Sequence, residues 1–114
     1  MARYVPRQGD IVWVDFNPQS GHEQAGRRPA LVLSATQYNR KVGLMLCCPL
    51  TNQVKGYPFE VAMEGVKGVS GVALADQIKS LDWRARNAEK KARVPVKVLA
   101  DVIAKTNALL RIEQ

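Results

Sequence analysis

The chain has 114 residues, 12.6 kDa, 17 Lys and Arg against 10 Asp and Glu, and 46% apolar residues, the balance of a soluble globule with one core. No uncharged apolar run approaches the ~18–20 residues of a membrane span, and residues 1–7 hold no apolar signal segment. Cys47 and Cys48, the only cysteines, are too close for an ordinary disulfide, and with the lone His22 they cannot build a common structural zinc site; the expectation is a single cytoplasmic domain over 1–114, with no metal, cofactor or membrane partner.

The first predicted element is a strand at Ile11–Phe16, rich in β-branched and aromatic residues, with Trp13 in its core. Residues 17–28, NPQSGHEQAGRR, are polar and aperiodic and read as a loop, long enough for a small domain to suggest function. Ala30–Ser34 reads as a short buried strand, Thr36–Arg40 as a turn or short helix, and Val42–Pro49 as the central strand. Phe59–Met63 alternates with period two, a half-exposed strand. A turn at Gly65–Ser70, a strand at Val72–Ala75 and one more strand within 87–94 follow. Pro95 then fits the first turn of a helix whose apolar face is Leu99, Val102, Ile103, Thr106, Leu109 and Leu110. Short strands closed by a C-terminal helix predict a small, strongly curved antiparallel sheet or partly open barrel, mainly β, with an edge that a dimer interface could cover.

Charge is uneven. Lys79 to Lys97 contains seven basic residues against Asp82 and Glu89, five of the net +7. Such a field suits a polyanion, although a solvated face is the plain alternative.

Three clusters carry candidate chemistry. Gly21–Pro29 packs His22, Glu23, Arg27 and Arg28 together, and Arg28 precedes Pro29, which biases it toward an extended backbone. A guanidinium anchored there presents a permanently charged fork suited to phosphate. Thr51 lies just past the central strand, where a hydroxyl either binds a phosphate oxygen or caps a turn, and Lys55 follows it. Gln77 offers a donor and an acceptor to a base edge, beside Lys79. Phe16, at the mouth of the long loop, is the favoured stacking residue; Tyr38, Tyr57 and Trp83 are others. Cys47 and Cys48 should face opposite sides of their strand as inert buried thiols. A single histidine excludes a two-histidine nuclease within one chain, and His22 also fits a solvent-facing loop position.

The segments RYVPRQGDIVWVDFNPQSGHEQAGRRPALVLS, KGYPFEV and GVALADQIKSLDWRAR resemble the MazF group of toxins from toxin–antitoxin modules, over Arg3 to about Leu110. The resemblance implies an SH3-like barrel with a helix, a homodimer, and a metal-independent endoribonuclease cutting single-stranded RNA at short sequences, of which an ACA-type triplet is the expected one. It implies a cognate MazE-like antitoxin with an acidic tail, and operator DNA binding only through the antitoxin complex. It places catalysis on Arg28, Thr51 and Glu23 and substrate contacts on Phe16, Asn39, Lys55, Gln77 and Lys79. His22 departs from the usual small or polar residue before the glutamate, and Arg27 is given no catalytic role.

Elementary chemistry agrees. A route through the RNA 2′-hydroxyl needs a base for that hydroxyl, charge stabilisation at the phosphoryl oxygens, and a proton for the leaving 5′-oxygen. Arg28 and Thr51 suit the second task. Glu23 is the natural base, with acid and base roles exchangeable between Glu23 and Arg28. A gyrase-poisoning toxin on the same fold is one alternative, but the Trp-Gly-Ile ending it depends on is missing from Leu110-Arg111-Ile112-Glu113-Gln114. A non-catalytic nucleic-acid-binding module is the other, and plain binding would not require Glu23, Arg28 and Thr51 together.

Overall fold

The computed structural model describes residues 4–16 and 26–114. The elements are β1 (Asp10–Asp15), β2 (Arg27–Val32), α1 (Thr36–Val42), β3 (Leu44–Thr51), β4 (Glu60–Ala62), β5 (Val72–Leu74), β6 (Lys79–Asp82), β7 (Glu89–Arg93) and α2 (Val96–Leu109). The strands form one seven-stranded sheet in the order β4-β5-β3-β2-β1-β7, with β6 also on β3, and every pairing is antiparallel. This is the expected mainly antiparallel sheet with a C-terminal helix. Its ladder stays open, ending on β4 and β7.

β3 is the hub. Leu44–Cys47 pair with β6, Leu50 and Thr51 pair with β5, and β2 runs along the other edge at Cys47–Pro49. Pro49 therefore falls in the gap between the β6 and β5 partners, where a residue without an N–H is tolerated in a strand. Both faces of the sheet are apolar. Ile11, Leu31, Cys48, Leu50, Ala73, Val98 and Val102 share one core, and Val12, Val14, Ala30, Val32, Met45, Cys47, Leu81 and Trp83 share the other. The adjacent cysteines thus point into opposite cores, as the period-two pleat requires. Burial pushes both thiols up to about 12.

α2 begins after Pro95, which is its N-cap rather than a residue of its first turn. Val98 and Val102 are buried against the first core, each contributing roughly 1.5–3 kcal/mol of apolar burial. Leu99 and Ile103 flank them, and the Thr106 hydroxyl donates to the Ala75 carbonyl at 3.0 Å. The predicted apolar face continues past this packed core, so Leu109 and Leu110 are exposed.

Other expectations change in detail. β2 starts at Arg27, so both arginines expected in the loop belong to a strand, paired through Asp15↔Arg27 and Val14↔Arg28. Trp13 is half-buried rather than core: Val12 and Val14 enter the second core, and Trp13 turns toward charged β7, with Lys91 Nζ 4.8 Å from its ring centroid. β6 was not expected, because Lys79, Ser80 and Asp82 are exposed and only Leu81 is buried. Its pairing with β3 supplies what its own pattern lacks.

Gly71 is the tightest glycine. Its φ is +88°, and a Cβ there would lie 2.2 Å from the Thr51 carbonyl oxygen. Gly71→Ala should cost about 3 kcal/mol, from the left-handed backbone and the overpacking together. Gly68 has φ +76° and open space around it, so Gly68→Ala should cost only about 1 kcal/mol. Urea denaturation of the two variants checks this, and equal losses would rule out the close approach to Thr51. The two thiols should stay unreactive to a maleimide at neutral pH until the chain is unfolded, a contrast readable by intact mass.

Candidate active site

The site follows from strand parity. In β2, Ala30 and Val32 face the second core, so Arg28 lies on that face at the strand's open end. In β3, Met45 and Cys47 face the same way, which puts Pro49 and Thr51 there too. The β2–β3 register runs Val32↔Cys47, Leu31↔Cys48 and Ala30↔Pro49; extended past the ladder it sets Arg28 across from Thr51. On β6, Leu81 enters the same core and Lys79, two residues away, shares its face. Phe16, just past the end of β1, packs against this core.

These residues surround two adjoining hollows. One, of about 360 Å³, is lined by Phe16, Arg28, Pro49, Gln77, Lys79, Leu81 and Arg86. The other, of about 110 Å³, is lined by Thr51, Gln53, Lys55, Tyr57, Glu60, Leu74 and Gln77. Gln77 belongs to both, so Arg28, Lys79 and Arg86 stand on one side of it and the Thr51 hydroxyl on the other. A larger hollow of about 810 Å³ lies between β4 and the start of α2 and contains none of the predicted site residues.

The Thr51 Oγ accepts a hydrogen bond from the Gln53 N–H at 3.1 Å. Thr51 therefore caps its turn, and its hydroxyl proton remains available to donate to a phosphoryl oxygen. Glu60 holds the next stretch of the wall: its carboxylate accepts from the N–H groups of Lys55 and Gly56 at 2.9 and 2.8 Å. Tyr57 donates its hydroxyl to Asp76, and that hydrogen bond raises the phenol above its ordinary range.

Phe16 and Gly26 are the ends of the long loop, closed by the Phe16 N–H on the Gly26 carbonyl at 2.7 Å. Residues 17–25, with the candidate base Glu23 and His22, lie outside the described residues. Arg27 ion-pairs with Asp15 at 3.0 Å and Glu89 at 2.7 Å, which gives it a structural role at the base of the loop. Arg86 donates Nη1 to the Asp15 carbonyl at 3.0 Å and also to the Phe16 carbonyl.

Of the predicted substrate contacts, Phe16, Lys55, Gln77 and Lys79 come together here with Arg28 and Thr51. Asn39 does not. It is wholly buried, its side-chain amide donating to the Pro6 carbonyl at 2.8 Å and accepting the Ser34 hydroxyl, and its main-chain carbonyl accepting the Trp83 indole N–H at 2.9 Å. An amide committed in this way holds α1 to the N-terminal segment and cannot reach substrate. Trp83, buried in the second core, is likewise removed from the stacking residues. Sequence reasoning missed Arg86 and Glu60 as site residues; Arg86 was visible only as one cation in a basic run. Among the described residues no three His, Cys, Asp or Glu side chains group as metal ligands, and no helix is long and apolar enough to cross a membrane.

Comparison with known proteins decides the family. Residues 7–110 match the model of the PemK-like, MazF-like toxins of type II toxin–antitoxin systems. The chain belongs to this family. It is 56% identical over 110 residues to the endoribonuclease toxin MazF of Escherichia coli K12, covering 96% of this chain and 98% of that protein. The endoribonuclease toxin ChpB of the same strain is 40% identical over 108 residues, 90% of this chain and 92% of ChpB. Among solved structures, MazF from Deinococcus radiodurans superposes with a TM-score of 0.85 at 57% identity, covering 95% of this chain and 98% of that one. A MazE–MazF structure from that organism gives 0.85 at 50% identity, covering 97% of this chain and 100% of that one.

At the base of the loop, hydrogen bonds from Asn87 and Arg27 hold the Asp15 carboxyl below the usual carboxylate range. A carboxyl depressed in the folded state stabilises above the unfolded value of about 3.9 and loses that contribution as pH falls through the folded value. The stability difference between wild type and Asp15→Asn should therefore be constant from neutrality to about pH 5 and shrink below about pH 4. Urea denaturation across that window measures it, and a difference that persists unchanged at lower pH would contradict the assignment.

Proposed function

We propose that this chain is the toxin of a toxin–antitoxin module, an endoribonuclease that cuts single-stranded RNA at a short sequence, with residues 1–114 acting as one domain. The observation that carries the reading is the convergence of Arg28, Lys79, Arg86 and Thr51 around Gln77 on one sheet face. Membership of a family that includes endoribonuclease toxins, and likeness to a toxin solved with MazE, support it. A cognate MazE-like antitoxin is the expected inhibitor, its acidic character suited to the basic face, and operator DNA would be reached only through that complex. The exposed Leu46, Leu109, Leu110 and Ile112 supply apolar surface for the homodimer included in this reading.

In the proposed reaction Glu23, carried by the loop between Phe16 and Gly26, takes the proton of the substrate 2′-hydroxyl. The 2′-oxygen attacks phosphorus, the bond to the 5′-oxygen breaks, and that oxygen takes a proton from Arg28 or from the Glu23 carboxyl that received the 2′ proton, the acid and base roles being exchangeable between the two. The products are a 2′,3′-cyclic phosphate and a 5′-hydroxyl. Arg28 and Lys79 hold the charge that builds on the phosphoryl oxygens, and Thr51 donates to the same oxygens. Phe16 stacks on a base, Gln77 reads a base edge, and Lys55 holds a flanking phosphate.

Incubating a long single-stranded RNA with the protein in EDTA should yield discrete fragments with cyclic phosphate ends, and Arg28→Ala should lower the rate on the order of 10²–10³-fold. A 2′-deoxy substitution at the cleaved nucleotide should abolish cutting; normal cutting there would overturn the mechanism. With about four phosphates neutralised, the log–log salt slope of RNA binding should be about −3, and a flat response would contradict the electrostatic contribution.

A further inference from the structure

The turn between β6 and β7, residues 83–88, is internally complete without one of its side chains. The Asp82 carboxylate accepts from the Arg84 and Ala85 N–H groups at 3.1 and 2.9 Å, and its carbonyl accepts from the Arg86 N–H at 3.0 Å. Backbone bonds from Asn87 N–H to Arg84 and from Ala88 N–H to Trp83 finish it. The side chain of Asn87 takes no part. Its amide instead leaves the turn and donates to Asp15 Oδ2 at 2.9 Å, across to β1. Asn87 is also the one non-glycine with positive φ, +56°, among the described residues. Asparagine is among the few side chains that adopt this region readily, and an unusual backbone held where a side chain reaches another element points to a purpose beyond the turn.

The rest of the turn reaches the same place. Arg86 donates to the carbonyls of Asp15 and Phe16, the Arg86 carbonyl accepts the Asp15 N–H at 3.0 Å, and the Asn87 carbonyl accepts Arg27 Nη2 at 3.0 Å. Asp15 and Phe16 lead into the loop of residues 17–25, and Gly26 and Arg27 lead out of it. Both ends of that loop are thus held by one turn, 60 to 72 residues distant in sequence.

We infer that the β6–β7 turn is a clamp on the two ends of the active-site loop, with Asn87, through Asp15, as a positioning residue for Phe16. The clamp stands on geometry alone; its effect on catalysis rests on the ribonuclease reading. Asn87→Gly separates the cross-link from the turn, because glycine accepts φ +56° without strain while losing the amide, and its added freedom in the unfolded chain acts on all amides alike rather than on Asp15 and Phe16 alone.

The test has two arms. In hydrogen exchange of the full chain, Asn87→Gly should lower protection of the Asp15 and Phe16 amides about tenfold relative to the core amides Leu33 and Val94. In RNA cleavage it should lower kcat about tenfold with KM nearly constant, and in an Asp15→Ala background it should have no further effect. Wild-type protection at Phe16, an equal fall at all four amides, or an undiminished loss in the Asp15→Ala background would each overturn the clamp. Failure of the wild type to cut RNA would instead remove the ribonuclease reading, and the exchange arm would still decide the clamp.

Discussion

Everything at the site depends on the register of β2 between β1 and β3. β2 pairs Leu31 with Ile11 on one side and with Cys48 on the other. Ala30, Leu31 and Val32 are fully buried, so both faces of the strand are committed to core. A slip of one residue would exchange those faces and send Arg28 to the opposite side of the sheet from Thr51. The apolar packing of three residues thereby orients a charged group that makes no contribution to the core itself. The same pairing carries Arg27 to Asp15, so the strand that aims Arg28 also closes the loop before it.

Two buried polar residues hold the frame around this strand. Asp10 has no exposed surface and accepts from the Tyr4 hydroxyl, the Arg7 N–H at 3.1 Å and Arg93 Nη1 at 3.0 Å. It joins the N-terminal segment, β1 and β7 at one point. Burial and the neighbouring carboxylate push the Tyr4 phenol well above its usual range, which keeps it a donor. Asn39 does the equivalent work between the N-terminal segment, α1 and Trp83. Among the described residues no buried side-chain nitrogen or oxygen is without a partner. Loss of one partner of such a group leaves the other desolvated, which is why networks of this kind make a fold specific more than they make it stable.

The positive field is arranged by the same economy of position. Arg27 and Arg93 are neutralised by carboxylates at the edges of the sheet. Lys79 and Arg86 line the hollow with Arg28. Within a basic run that looks uniform along the chain, the fold commits Arg93 to Asp10 and Arg86 to the Asp15 and Phe16 carbonyls, and leaves Lys79 on the wall of the hollow. Linear charge density has no means of making that division.

Composition, period and motif were enough to place most of this protein. The β1, β3, β4 and β5 segments announce themselves because β-branched and apolar residues meet turn signals at their ends, and α2 because its apolar residues recur every three or four positions. Arg28, Thr51, Gln77 and Lys79 were identifiable because each is a chemically suited residue at the end of such a strand and within a family motif. Tertiary structure decided the rest. β6 exists only through its partner β3, since one buried leucine is no pattern. Trp13 turned outward and Asn39 inward against the averages for their residue types, because Lys91 covers the one and the Pro6 carbonyl, the Ser34 carbonyl and the Ser34 hydroxyl satisfy the side-chain amide of the other. The grip of residues 83–88 on Asp15, Phe16 and Arg27, at the two ends of the long loop, joins segments 60 to 72 residues apart. Local preference is a sum over near neighbours, and contacts of that range arise only when the sheet closes them in space.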